Sequence, residues 1–181
     1  MDNSKFILDL NRQICRFDVK RNFSDIIFLC VGSNKIIGDS VGPLVGQMLN
    51  NTLKEEKNEK KIKVYGNMKD TLNYKNASKV LEEILNQYEK PFMITIDSAL
   101  GNEKMIERIV VNAGTIQIGN SLGPGIRYDS HINIKGVVGK YKNSPNENLK
   151  TLMSVDQEAV KRMSIQIVYG IYKMIEKIKT V

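Results

Sequence analysis

The chain has 181 residues, of which 41% are hydrophobic and 26% charged, and 27 Lys and Arg against 20 Asp and Glu give a formal net charge of +7 at pH 7. This composition is typical of a globular protein, and the length predicts a single domain over residues 1–181. No apolar run approaches the ~20 residues that span a bilayer, the N-terminus lacks the pattern of a secretory signal, and the two cysteines exclude a disulfide framework, so we expect a cytoplasmic location.

Hydrophobic periodicity predicts four helices and six strands. In chain order they are a helix over about 4–17, a strand over 25–32, a helix from 39 to about 53, a strand over 62–66, a helix over 76–89, strands over 91–97, 106–111, 114–118 and 131–138, and a helix over about 148–179. The strands over 106–111 and 114–118 are expected to form a hairpin around a tight turn at 112–114. Helices that alternate with apolar strands predict an α/β fold with a mainly parallel sheet covered on both faces.

The last predicted helix is longer than a domain of this size needs. About thirty residues of helix would extend ~45 Å, and apolar side chains lie on more than one stripe of it. We therefore expect either that the helix breaks, near Asp156 or Gly170, or that its end packs on a partner. The second possibility predicts a homo-oligomer formed through the C-terminal helix.

Lysines supply most of the positive charge. They cluster between residues 54 and 63 and again along the last predicted helix. No aromatic residues are interleaved with them to stack on bases, so the pattern favours a solvated surface over a nucleic-acid interface.

Two aspartates are placed for chemistry at the carboxyl edge of the predicted sheet. Asp39 follows the first strand in the segment GDSVGP, and Asp97 ends the third strand. Active sites of open α/β sheets form outside the carboxyl ends of the strands, where the strand order reverses. If the first and third strands are neighbours and the second lies outside the first, both carboxyl groups point into one crevice.

A pair of neighbouring carboxyl groups cannot ionise twice at low cost, so one of them keeps its proton with a raised pKa. Such a pair supplies a base that activates water and an acid that protonates a leaving amine, and it needs no cofactor. The same two carboxylates could instead hold a divalent transition metal ion, with the single histidine, His131, as the third ligand.

Each of these residues also has a structural interpretation. Asp39 could be the N-cap of the second helix, and Asp97 could cap the turn after its strand. A lone histidine at the start of a strand, as His131 is, is more often structural than catalytic. The Gly-rich segment 119–125 is typical of a flexible loop, although glycines also let a substrate backbone approach closely.

Taken together, several segments resemble the small sporulation-protein branch of the spore germination protease superfamily. They are VGSN at 31–34 with GDSVGP at 38–43, ITIDSAL at 94–100, TIQI at 115–118 with the glycine loop after it, and HINIKGVV at 131–138. The similarity covers roughly residues 25–140, with the segments in the same order.

This resemblance implies a three-layer α/β/α fold of the phosphorylase/hydrolase-like kind, shared with hydrogenase maturation endopeptidases. In germination protease the two matching aspartates are the proposed catalytic pair, so Asp39 and Asp97 take that role here. Acidic residues and a histidine at comparable places bind the metal in the hydrogenase-maturation relatives, which keeps His131 as an alternative ligand. The residues expected to contact the substrate are Gly38, Ser40, Ser98, Gly123 and Gly125.

The sequence therefore predicts a cytoplasmic peptidase of a spore-forming cell, which hydrolyses a peptide bond in a protein or peptide substrate through Asp39 and Asp97. Germination protease cleaves small DNA-binding spore proteins, but a charge of +7 gives no electrostatic attraction toward a basic partner. One alternative is a metal-dependent processing endopeptidase that uses Asp39, Asp97 and His131. Another is a catalytically inactive binding protein on the same fold. A peptidyl-tRNA-hydrolase-like enzyme would need a histidine where Asp39 stands.

Overall fold

The computed structural model describes residues 4–53, 61–118 and 126–180. Its helices are α1 (Ser4–Ile14), α2 (Val19–Asn22), α3 (Val41–Leu53), α4 (Ala77–Gln87), α5 (Pro145–Met153) and α6 (Gln157–Thr180). Its strands are β1 (Asp25–Cys30), β2 (Lys61–Tyr65), β3 (Pro91–Gly101), β4 (Ile109–Ala113), β5 (Ile116–Ile118), β6 (Ile126–Tyr128) and β7 (Ile132–Lys140). The lysine-rich connection at 54–60 and the glycine loop at 119–125 lie outside the described residues.

Five of the strands form one mixed sheet in the order β2-β1-β3-β7-β4. β1 runs parallel to both β2 and β3, β3 runs parallel to β7, and β4 is antiparallel to β7. All six residues of β1 are buried, as expected for a central parallel strand covered on both faces. The first and third strands are therefore neighbours with the second outside the first, and the predicted mainly parallel sheet is confirmed.

Helices cover both faces of this sheet. Alternate side chains of β1 and β3, such as Phe28 and Ile94, pack with residues of α1, α3 and α6 in one apolar cluster. The intervening side chains, such as Leu29 and Met93, pack on α4 in a second cluster. Because strand side chains alternate between faces, the sheet is the middle layer of an α/β/α sandwich, which confirms the predicted fold class.

The segment after β3 differs from the predicted hairpin over 106–118. β4 begins at Ile109 and pairs with β7, whereas β5 pairs with β6 in a separate two-stranded sheet. The chain leaves β4 at Gly114, whose φ of 101° suits glycine. The side-chain amide of Asn133 donates to the carbonyl oxygens of Gly114 and Thr115 at 2.6 and 3.3 Å. These bonds fix the direction in which the chain departs from the main sheet.

The C-terminal helical region breaks near Asp156, one of the two positions considered. The Asp156 carboxylate accepts hydrogen bonds from the backbone N–H groups of Glu158 and Ala159, at 3.2 and 3.1 Å, and so caps the start of α6. Ile165 and Tyr169 are half exposed on α6, and self-association through this helix stays a prediction. Among the described helices, none combines the length and the apolar character needed to cross a bilayer.

Candidate active site

Asp39 is carried back to the end of β1 by a tight loop. Gly32, just after the strand, has a φ of 143°, and a Cβ at this position would overlap the carbonyl oxygen of Asp39. The N–H of Ser33 donates to that carbonyl at 2.9 Å, and Asp39 ends a short 3-10 helix, Ile37–Asp39. The absence of a side chain at Gly32 therefore allows the loop to place Asp39 beside the strand end.

Asp97 lies within β3 rather than at its end, because the strand continues to Gly101. The carboxylate accepts a hydrogen bond from the N–H of Ser98, with Oδ1 at 2.8 Å. β1 and β3 are joined directly beside these residues, since the N–H of Val31, which precedes Gly32, donates to the carbonyl of Ile96, which precedes Asp97, at 2.8 Å. The start of the loop that carries Asp39 is thus held against β3 by a main-chain hydrogen bond.

The two carboxyl groups interact electrostatically. Burial raises the pKa of Asp39 from 3.8 to about 7, and the backbone hydrogen bond from Ser33 opposes that rise. Burial, and then repulsion by the charge of Asp39, raise the pKa of Asp97 to about 8, whereas the charge of Lys135 and the hydrogen bond from Ser98 lower it. Near neutral pH this pair can therefore hold one proton between two carboxyl groups.

The N-cap interpretation of Asp39 does not fit the structure. Ser40 directly precedes α3, and its carbonyl oxygen accepts the N–H of Leu44 at 2.9 Å. Ser40 therefore occupies the capping position, and its hydroxyl donates to the carbonyl of Ile37 at 2.7 Å. The partly buried Asp39 carboxylate is left for another role.

The predicted substrate-contacting residues have different surroundings. Gly38 is buried, and a Cβ there would come within 2.9 Å of the backbone of Leu152, so this glycine allows α5 to pack closely. Ser98 is buried, and its hydroxyl oxygen has no hydrogen-bond partner among the residues that the structure describes. Gly123 and Gly125 lie outside the described residues. Substrate contact by these residues and by Ser40 stays a prediction.

The structure does not bring His131 to the two carboxylates. His131 precedes β7, and its Nδ1 accepts the N–H of Met93 at 3.0 Å. Met93 lies four residues before Asp97 on β3, which is about 13 Å along a strand. The imidazole is surrounded instead by three phenylalanine rings, with centroids 4.8 to 5.5 Å from its own, from Phe17, Phe23 and Phe92.

A three-ligand metal site made of Asp39, Asp97 and His131 therefore does not fit this geometry. In the described part of the chain, no group of three His, Cys, Asp or Glu side chains is placed to hold a metal ion. The Lys135 ammonium also acts electrostatically on Asp97, and it would repel a cation bound there.

We expect the His131 imidazole to titrate below the ordinary value of 6.5, because burial lowers its pKa. His131 is the only histidine of the chain, so its ring protons can be followed by NMR without assignment. The same signal in the urea-unfolded chain is the control and should titrate near 6.5. A folded-state midpoint at or above the unfolded value would contradict the aromatic surroundings described above.

Sequence reasoning missed two polar residues of the same sheet region, Asn133 and Lys135. In the register of β3 and β7, Asn133 lies beside Thr95 and Lys135 lies beside Asp97. Both are polar residues in a mostly apolar strand, and they are two positions apart. That alternation was the available signal, since it places both side chains on one face of the sheet.

The chain is similar to several known proteins. A family model described as "Protein of unknown function (DUF1256)" matches residues 1–177. The uncharacterized protein YyaC of Bacillus subtilis (strain 168) is 26% identical over 113 residues, which are 62% of this chain, and the chain spans about half of that relative (53%). A crystal structure of the NiFe hydrogenase maturation protease HycI from Thermococcus kodakarensis KOD1 is 15% identical, with a TM-score of 0.48 over 86% of this chain and 97% of that one.

Proposed function

The chain belongs to the DUF1256 family of proteins of unknown function, and we propose from its own site that it is a peptidase whose Asp39 and Asp97 share the acid and base roles. The observation that carries this proposal is the pair itself. Two aspartates from distant parts of the chain are each partly buried, and the charge of Asp39 raises the pKa of Asp97. Carboxyl groups with pKa values of about 7 and about 8 suit proton transfer near neutral pH.

The proposed resting state has Asp39 ionised and Asp97 protonated, because the charge of Asp39 raises the pKa of Asp97. Asp39 acts as the base, taking a proton from water as the water oxygen attacks the scissile carbonyl carbon. Asp97 gives its proton to the nitrogen of the leaving amine as the C–N bond breaks. Hydrolysis consumes one water molecule, and the two carboxyl groups together still hold one proton. At the end of the reaction Asp39 is protonated and Asp97 is ionised, and the proton then returns to Asp97.

The proposal also covers the substrate and the cellular location. The substrate is a protein or peptide, the reaction needs no resident metal ion, and the protein acts in the cytoplasm of a spore-forming cell. The sporulation setting rests on the motif resemblance alone, whereas the chemistry rests on the two carboxyl groups.

The test is cleavage of peptides by the wild-type chain and by Asp39→Asn and Asp97→Asn. A library of proteome-derived peptides, read for new termini by mass spectrometry, supplies a defined substrate. Each substitution should then lower kcat/KM by about 10³-fold, within the range that general acid–base groups contribute. Activity should survive a chelator, because neither role uses a metal ion.

Asp70→Asn is the matched control, since it removes the same charge at an exposed position and should leave cleavage unchanged. Full activity of either Asn variant at the pair would refute the shared mechanism. A wild-type chain that binds peptides but cleaves none would identify a binding protein on this fold instead.

A further inference from the structure

The face of the sheet that carries Asp97 is only partly covered by a helix. Met93, Thr95 and Asp97 alternate with the residues of β3 that pack on α1, α3 and α6, so they lie on the opposite face. On that opposite face α4 packs against β1 and Met93, and no described residue of β7 or β4 belongs to its apolar cluster. Beyond α4 this face carries a polar strip, which we define by Thr95, Asp97, Asn133 and Lys135. Thr95 and Asn133 are buried, whereas Asp97 and Lys135 are partly exposed.

Within the polar strip, Lys135 is the charged neighbour of Asp97. It is the register neighbour of Asp97 and is partly buried. Its charge acts on the Asp97 carboxyl group, yet in the described part of the chain the ammonium forms no ion pair or hydrogen bond. An ammonium held near a carboxyl group but not bonded to it leaves its N–H donors available to a ligand oxygen.

Asn133 forms the buried end of the polar strip. Only 2% of this residue is exposed, and within the described residues its Oδ1 has no hydrogen-bond partner, although its amide nitrogen is fixed by two carbonyl groups. A buried acceptor without a partner is costly and calls for an explanation. The polar strip therefore has an unmet hydrogen-bonding group two residues from Lys135, about 6.7 Å along the strand.

We propose that Lys135 is a further catalytic residue, whose ammonium donates a hydrogen bond to the carbonyl oxygen of the scissile peptide bond. This inference rests on the proposed peptide hydrolysis. As water attacks the carbonyl carbon, the C=O π electrons move to the oxygen, and the positive charge of Lys135 stabilises that negative oxygen. The substrate contacts the partly exposed end of the polar strip, at Asp97 and Lys135. Stabilisation of developing charge by a preorganised donor accelerates acyl transfer by about 10²–10³-fold per donor.

The test uses Lys135→Met, which keeps the stem and removes the charge, and Lys135→Arg, which keeps the charge. Cleavage of the defined peptide should show a kcat about 10²-fold lower or more for Lys135→Met, with KM within threefold, and a partial recovery for Lys135→Arg. The charge of Lys135 lowers the pKa of Asp97, so its loss should also move the alkaline limb of the pH–rate profile upward. Lys63→Met, at an exposed position of β2, is the control and should behave like wild type.

The outcomes separate this inference from the proposed function. If Lys135→Met keeps the wild-type kcat and pH profile while Asp97→Asn is inactive, the role of Lys135 is refuted and the carboxyl pair stands. If Asp39→Asn and Asp97→Asn are both fully active, or if the wild type cleaves no peptide, both proposals fail. Should Lys135→Met not fold, Lys135→Gln replaces it with the same expected loss of kcat.

Discussion

Replacing Asp97 by Asn should make the protein more stable at pH 8.5 by about 2 to 4 kcal/mol, while abolishing the proposed activity. The physical reason is the raised pKa of the carboxyl group, about 8 in the folded chain against 3.8 for an ordinary aspartate. Each pKa unit corresponds to ~1.4 kcal/mol between the two protonation states. The full pKa shift sets an upper limit on the gain in the free energy of unfolding. The partial exposure of Asp97 makes the expected gain smaller, because water screens the charge.

The sign of the pH dependence follows from proton binding. Between about pH 4 and pH 8 the folded chain retains a proton on Asp97 that the unfolded chain has lost. Stability of the wild type therefore falls as the pH rises through this window, and the fall ends above the folded-state pKa. The neutral amide of Asp97→Asn does not titrate, so its advantage should be small at pH 4 and largest above pH 8.

Urea unfolding of both chains at pH 4, 6 and 8.5 measures this difference, and thermal unfolding at pH 8.5 should show a midpoint higher by roughly 5 to 15 °C. Asp39→Asn should show the same trend over a narrower window that ends near pH 7. The exposed control Asp70→Asn should stay within ~0.5 kcal/mol of wild type at every pH. A pH-independent gain, or a loss, for Asp97→Asn would show that burial and repulsion do not act on this carboxyl group.

The sheet and the meeting of the two aspartates were predictable from the sequence because both depend on local patterns. The apolar run of β1 indicates a strand buried on both faces, and helices between such strands favour parallel pairing. Parallel neighbours end at the same edge of a sheet, which brings residues after β1 close to β3. The pattern of strands and helices does not predict catalysis, so the catalytic role of Asp39 and Asp97 stays a prediction.

The features that sequence reasoning missed depend on long-range pairing. β4 pairs with β7 rather than with β5, and only the three-dimensional partner decides between these possibilities. The position of His131 could have been inferred, since the start of a strand parallel to β3 lies at the opposite edge from the strand end near Asp97. Lys135 could also have been found, because it is charged and interrupts an otherwise apolar strand.

Gly42→Ala should destabilise the protein by about 3 kcal/mol, although alanine is the better residue for a helix. Gly42 lies in the first turn of α3, where the helix meets the end of β1 and the middle of β3. A Cβ there would overlap the carbonyl oxygen of Val31 and approach that of Ile96 to 2.8 Å. Helix propensity alone favours alanine over glycine by about 1 kcal/mol. Because the overlapped atoms are backbone, the helix must move, and overpacking of this kind costs more than the propensity gains.

The measurement is urea unfolding of Gly42→Ala at pH 7, compared with Gly114→Ala. At Gly114 a Cβ meets nothing within 4 Å, and only the φ of 101° opposes a side chain, so a loss of about 1 to 2 kcal/mol is expected. Val31 and Ile96 hold the loop of Asp39 and the strand of Asp97 together, so a displaced α3 should also separate Asp39 from Asp97. The repulsion that raises the pKa of Asp97 would then weaken, and Asp97 should titrate lower in Gly42→Ala, as read from its carboxyl ¹³C signal. Equal stability of Gly42→Ala and wild type would show that the close approach of α3 to the sheet is not required to form the crevice.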